Sequence, residues 1–242
     1  MRELEQGSWW NAGMRDVAVL LLNLVSLPSS GMMLDVGCGS GQSMEWFARL
    51  YPGWRTVGLD VAPEGLASAR TKRLAVMRAS ALDLPVRPNS IDLVITLDVL
   101  QHVPLRGGDT KALSEIVRVL KPGGYAFIRT NAQALPYTAD DPVFNFHKYS
   151  PHELRNKLSH AGLRIIRLSR LNAVLGLTEI PRELRARTQE HSYLGILAEK
   201  GSTQGVAYRL KRHWLRFEGR VVRSGLSWPF GRTLVALCQR DR

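Results

Sequence analysis

Residues 33–41 read Met33-Leu34-Asp35-Val36-Gly37-Cys38-Gly39-Ser40-Gly41, and the fold is decided there. A short apolar run leads into glycines at 37, 39 and 41, and a helix-like segment follows at once. Only glycine lets a backbone turn that tightly and approach a ligand that closely. Strand, glycine turn and helix in that order place a nucleotide-like ligand at the end of a parallel strand. Asp35 sits two residues before the first glycine. A carboxylate there repels a diphosphate and tolerates a cation.

S-adenosylmethionine (SAM) carries an ammonium and a sulfonium, so the acidic turn points to SAM rather than NAD. A dinucleotide turn would read Gly-x-Gly-x-x-Gly, and here the third glycine comes one residue early, at 41. Outward from the turn, strand-like and helix-like segments alternate. Trp9–Leu27 predicts a helix stopped by Pro28, and Met32–Val36 the first strand. Gly41–Leu50 predicts a helix, Arg55–Leu59 a strand ending at Asp60, and Pro63–Arg70 a helix with proline in its first turn. Strands are expected at Leu74–Met77, Ile91–Leu97, Tyr125–Arg129, Leu163–Leu168 and Thr233–Cys238. Lys111–Leu120 has a helical apolar face, and Ser150-Pro151-His152-Glu153 is a capping box for a helix closed by Gly162. The expected class is α/β: a doubly wound, seven-stranded, mostly parallel sheet with a helical insertion before the last strand. Residues 1–30 are expected to form an N-terminal helical segment covering the site, 31–172 the α/β core, 173–230 a basic helical lid, and 231–242 the final core strand.

At 242 residues the chain reads as one domain, or one domain with an appendage. The net charge is +12, and residues 180–242 hold 13 Lys/Arg against 5 Asp/Glu. Such a segment suggests an acidic partner or a solvated basic helix face. Arg209, Lys211, Arg212, Arg216, Arg220 and Arg223 share a helix-like stretch with Leu210, Trp214, Phe217 and Val221, which permits docking on an anionic membrane or a lipid-linked substrate. Two cysteines make neither a disulfide framework nor a metal site. A polar N-terminus without a visible signal peptide, and no apolar run near the ~20 residues of a membrane span, predict a cytoplasmic protein, peripheral at the membrane if that helix docks.

Five stretches in order resemble class I SAM-dependent methyltransferases, of the methyltransferase type 11 group. They are the glycine turn, Asp60, Ala81-Leu82-Asp83-Leu84-Pro85, Asp98-Val99-Leu100-Gln101-His102-Val103 and Arg118-Val119-Leu120-Lys121-Pro122-Gly123-Gly124. The resemblance covers about Trp9 to Leu168 and the last strand. It implies a cofactor site of Asp35, Gly37, Cys38, Gly39, Gly41, Asp60, Val61, Leu82, Asp83, Leu97 and Asp98. Asp60 would hold the ribose hydroxyls and Asp83 the adenine amino group. The cofactor is SAM, the product S-adenosylhomocysteine (SAH), and no metal is expected. Trp9-Trp10 with Arg15, Phe146-His147-Lys148-Tyr149-Ser150 and the Trp228–Arg232 turn resemble a bacterial branch acting on small molecules of glycan, lipid or secondary metabolism. Gln101 stands where many relatives carry glutamate, which removes an acid beside the SAM pocket.

Methyl transfer from a sulfonium needs the nucleophile about 3 Å from the methyl and in line with the leaving sulfur. A hydroxyl nucleophile also benefits from a base, and histidine suits best. His147 and His102 are the candidate bases, with packing as the other reading of each. Tyr149 is a gate or hydrogen-bond partner, since a phenol titrates near pH ~10. The expectation is O-methylation of a small-molecule acceptor. RNA, DNA or protein methylation and a non-catalytic SAM-fold partner protein are the alternatives. A nucleic-acid partner is not expected, because the Asn/Asp-Pro-Pro-aromatic loop is missing and no aromatic residues interleave a basic patch.

Overall fold

Apolar strands that alternate with amphipathic helices bury both faces of a parallel sheet between two helical layers. A computed structural model describes residues 9–104, 107–133, 147–173 and 205–241. In chain order the elements are α1 (Trp9–Leu22), β1 (Gly31–Val36), α2 (Gln42–Leu50), β2 (Trp54–Asp60), α3 (Pro63–Thr71), β3 (Val76–Arg78) and β4 (Ile91–Leu97). A 3-10 turn at Leu100–His102 leads to α4 (Gly108–Val119), β5 (Leu120–Asn131), α5 (Pro151–His160), β6 (Leu163–Leu171), α6 (Val206–Arg223) and β7 (Thr233–Arg240).

The seven strands lie in the order β3-β2-β1-β4-β5-β7-β6. β3, β2, β1, β4 and β5 run parallel, and β7 runs antiparallel between β5 and β6. The sheet is therefore mostly parallel with one reversed strand, and β1 and β4 lie side by side at its centre. Successive side chains of a strand point to opposite faces. Leu34, Val94 and Ile128 accordingly pack with Leu113 and Ile116 of α4 and Leu154 and Leu158 of α5. Met33, Leu93, Ile95 and Phe127 face the other way, against Val17 and Leu21 of α1, Phe47 of α2 and Leu215 of α6.

Several boundaries shift from those expected. α1 ends at Leu22 rather than Leu27, tightening into a turn through Leu24 N donating to Leu21 O at 2.9 Å. β3 is Val76–Arg78, pinned by pairing with Gly58–Asp60 of β2. β5 starts at Leu120, before the Pro122-Gly123 turn, because Leu120 already pairs with Ile91. β6 runs on to Leu171 beside β7. The Ser150 cap forms, its Oγ accepting from Glu153 N at 3.0 Å.

The segment expected as a lid divides in two. Residues 174–204 lie outside the described residues. α6 is a layer on the back of the sheet, laid against α1. A Cβ at Gly13 would come within 2.6 Å of Leu215 Cδ1, so glycine is what lets the two helices approach. Arg212 Nε donates to Asp16 at 2.8 Å across that contact. Leu215 and Val222 are buried there, each contributing roughly 1.5–3 kcal/mol by leaving water. Glu218 is buried on the same helix. Its carboxylate accepts from Ala173 N at 3.0 Å, from Asn172 N and from the Trp214 indole.

Candidate functional site

The glycine turn follows β1 directly, with Gly37, Gly39 and Gly41 at φ 79°, 50° and 77°. At Gly39 an added Cβ would meet nothing within 4 Å, so this glycine borders open space. Side chains rarely adopt such φ values, so the turn requires glycine on conformational grounds. Asp60, at the end of β2, ties the turn down: Oδ2 accepts from Gly39 N at 2.7 Å and Oδ1 from Ala62 N at 2.8 Å. One acid thereby fixes the glycine turn and the start of α3.

Asp35 is buried in β1. One carboxylate oxygen accepts from Ser43 Oγ of α2, and the other has no donor among the described residues. Burial pushes this carboxyl up to about 7; the Ser43 bond opposes that, nearby Asp60 adds to it, and Arg129 opposes it. Cys38 is pushed up to about 12 by burial, reinforced by Asp35 and Asp60, so it is a thiol and not a nucleophile at neutral pH.

A cavity of about 200 Å³ opens beside the turn. Cys38, Gly39 and Ser40 form one wall, and Gln42, Ser43 and Trp46 of α2 the next. Asn11, Met14, Arg15 and Ala18 of α1 close it from above, and Leu97 and Arg129 stand at its strand ends. Asp35 lies one hydrogen bond behind the wall, through Ser43. Arg129 is held by Asp98, its Nε donating at 3.1 Å, and its guanidinium lies 5.8 Å from the centroid of the Trp10 ring. Asp98 itself has φ 59°, a costly conformation for a residue with a side chain. Trp9 stands edge-on to Trp10, with Lys211 of α6 5.3 Å from the Trp9 ring centroid.

On the far side of β2 lies the loop expected to border a base. Val61 is 58% exposed beside Asp60. Leu82 is half-buried and Asp83 exposed. Glu115 and Arg118 of α4 clamp this loop. Glu115 accepts from Leu84 N at 2.8 Å, and Arg118 donates to the Leu84 and Val86 carbonyls at 2.8 Å. The Arg118 hydrogen bonds hold the Glu115 carboxyl down at about 2.

The two candidate bases lie beyond the C-terminal end of β4 but not in the cavity wall. Enclosure lowers the His102 ring below its ordinary value, against the pull of Asp98. His147 N donates to Gln101 O at 3.0 Å, and its Nε2 meets Glu153 Oε1 at 2.8 Å. The capping box is therefore half-made, because Glu153 turns to His147. Gln101 is buried, its Oε1 accepting from Asn131 N at 3.0 Å and Thr130 Oγ1 at 3.1 Å. That fastens the turn after β4 to β5. Tyr149 is 1% exposed, and its hydroxyl lies 3.0 Å from Leu100 O and 3.1 Å from Asp109 Oδ2. Such placement joins the 3-10 turn to α4 and does not suit a gate. Sequence reasoning missed Ser43, Arg129, Glu115 and Glu153. Only Glu153 had a local signal, the capping box, and it pointed to another partner.

A methyltransferase domain family matches residues 34–128. A ubiquinone biosynthesis O-methyltransferase of Xanthomonas euvesicatoria pv. vesicatoria is 30% identical over 219 residues, covering 78% of this chain and 87% of that protein. A tRNA (carboxymethyluridine(34)-5-O)-methyltransferase of Arabidopsis thaliana is 36% identical over 105 residues, covering 43% of this chain; the chain spans only 25% of that protein's length. Among solved structures, geranyl diphosphate C-methyltransferase from Streptomyces coelicolor A3(2), in complex with Mg2+, geranyl diphosphate and SAH, matches at a TM-score of 0.58 and 18% identity, over 93% of this chain and 78% of that one. Phosphoethanolamine N-methyltransferase 2 of Haemonchus contortus, in complex with SAM, matches at 0.60 and 20% identity, over 93% and 52%. At such identities the likeness to the solved structures is one of fold.

Proposed function

This chain belongs to the class I SAM-dependent methyltransferases, and on that footing we propose that it transfers a methyl group from SAM to a hydroxyl of a small-molecule acceptor. The observation that carries the reading is the joint between Gly39 and Asp60 beside the cavity. The two coverages favour a small acceptor. The ubiquinone biosynthesis enzyme is matched along most of its length, whereas the tRNA enzyme shares only a core segment. Lipid-linked intermediates fall within the acceptor class proposed. Two buried free cysteines support assignment to a reducing cytoplasm.

The residues present fit SAM. Asp35 keeps a buried oxygen without a donor among the described residues, Gly39 borders open space, and Val61 leaves apolar surface exposed beside Asp60. We assign Gly37, Cys38, Gly39 and Gly41, with Asp35 behind them and Leu97 and Asp98 alongside, to the methionine end. Asp60 is assigned to the ribose, and Val61, Leu82 and Asp83 to the adenine. SAM supplies a methyl group already activated on sulfonium, so the protein's task is placement and water exclusion. α1 closes the cavity from above, which serves both. Arg129, fixed by Asp98 and Trp10, sets the charge at the strand ends.

His147 is our assignment for the group that takes the acceptor's proton, with Glu153 holding its ring, as a base is oriented by a third group. His102 is the second candidate, and Tyr149 positions the turn that carries it. Replacing His147 by alanine is expected to lower turnover by ~10²–10⁴-fold with SAH affinity kept. Loss of SAH affinity instead would make the residue structural.

The higher identity to the tRNA enzyme and the +12 charge keep a second reading, an RNA acceptor. Methyl-labelled SAM, incubated in parallel with the organism's small-molecule extract and with its total tRNA, separates the two. Label in the small-molecule fraction is the expected result, and label confined to tRNA overturns the proposal.

A further inference from the structure

The outer face of α6 has no role in the site. We propose that it docks on an anionic lipid bilayer. Val206, Leu210, Trp214 and Phe217 follow one another at helical spacing on that face and are 75%, 65%, 40% and 47% exposed. Leu226 extends the apolar surface just beyond the helix, and the Trp228 ring lies 6.3 Å from Trp214 and 6.4 Å from Phe217, centroid to centroid. Arg209, His213, Arg220 and Arg223 are exposed on the same helix, again at helical spacing, in the sector beside the apolar stripe. The helix has one acid, Glu218, and it is buried. The outer face therefore presents aliphatic groups, tryptophan and phenylalanine next to cations, with no negative charge.

Charge and chemistry select the occupant. A helix with this division lies in the plane of a membrane, its apolar side at the acyl boundary and its cations on anionic headgroups. A second copy, meeting face to face by twofold symmetry, would bring basic stripe toward basic stripe. Nucleic acid would use the arginines but gain nothing from Val206, Leu210 and Leu226. No helix among the described residues is long and apolar enough to cross a membrane, so the contact is peripheral. α6 packs on α1, and α1 lines the cavity. Docking thus sets the cavity one helix away from the lipid. The value of this for a lipid-linked acceptor rests on the methyl-transfer reading, whereas the docking does not.

The test is co-sedimentation of the full chain with vesicles of phosphatidylcholine alone or mixed equally with phosphatidylglycerol. The expected result is binding to the anionic vesicles only, weakened when salt rises from about 0.05 M to about 0.5 M. Leu210→Asp, and separately Arg209→Glu with Arg220→Glu, should each weaken vesicle partitioning roughly tenfold or more. Melting temperature and SAH affinity should stay unchanged in both, so failure here is distinguishable from failure of the cofactor site. Absence of wild-type binding to anionic vesicles overturns the proposal, as does binding that Leu210→Asp leaves intact. A wild-type dimer that Leu210→Asp dissociates would give the face to a second copy, and tRNA binding lost in these variants while vesicle binding persists would give it to RNA. Either result overturns the bilayer.

Discussion

Asp35 and Glu218 are both buried carboxylates, one at the centre of the sheet and one on the helix behind it. Burial raises the carboxyl of each. Glu218 receives two backbone N–H groups and an indole N–H, whereas Asp35 receives one serine hydroxyl and keeps an oxygen without a donor among the described residues. A charge that the fold itself uses is surrounded by donors, because leaving it short would cost stability. A charge left short beside a cavity has capacity for a ligand. On the proposed reading, Glu218 is the structural acid and Asp35 the acid of the cofactor site.

The largest effect expected is at the residue that joins the two halves of the site. Asp60→Ala removes the acceptor for Gly39 N and the proposed ribose contact, and SAH affinity should fall by ~100-fold or more. Calorimetric titration measures this; near-normal affinity would break the assignment. Next comes Glu218→Ala, which strands two backbone N–H groups and should cost about 3 kcal/mol in urea denaturation while SAH affinity changes little. A variant that lost affinity and kept stability would reverse the two roles.

Asp35→Asn should act the other way, lowering SAH affinity by ~10-fold with the fold retained. The pH behaviour sharpens this. The folded-state value of Asp35, about 7, lies above its ordinary 3.8. Folded protein therefore holds more protons in that window, and the Asp35 contribution to stability declines as pH rises from 3.8 to about 7, then levels. The ammonium that SAM and SAH share favours the carboxylate, so binding releases a proton and affinity climbs with pH up to about 7. In Asp35→Asn both slopes should vanish. The smallest effect is at Tyr149→Phe, where loss of the hydroxyl between Leu100 O and Asp109 should cost about 1 kcal/mol without altering SAH affinity.

The core was legible because its signals are local. The strand before Gly37, the φ values demanded by the turn and the acid at the end of β2 all lie within 28 residues, from Met33 to Asp60. The capping residue Ser150 and the C-terminal glycine at 162 were legible for the same reason. Contacts between distant segments were not. Arg129 meets Asp98 across 31 positions, Glu115 meets Leu84 across 31, and Arg212 meets Asp16 across 196. No periodicity reports such pairs. The insertion is expected as a cover from its place before the last strand; the inner face of its helix carries Leu215, Gly219 and Val222, which seat it on α1. Helical spacing gave the amphipathic pattern, but which stripe faced inward depended on Gly13, far away in sequence.

The proposed site holds SAM on the Gly37–Gly41 turn, with Asp60 and Asp35. Calorimetric titration of the wild-type chain with SAH at about pH 6 and about pH 8 tests it most directly. The expected result is saturable binding, one ligand per chain, tighter at the higher pH. No saturable heat at either pH would contradict it.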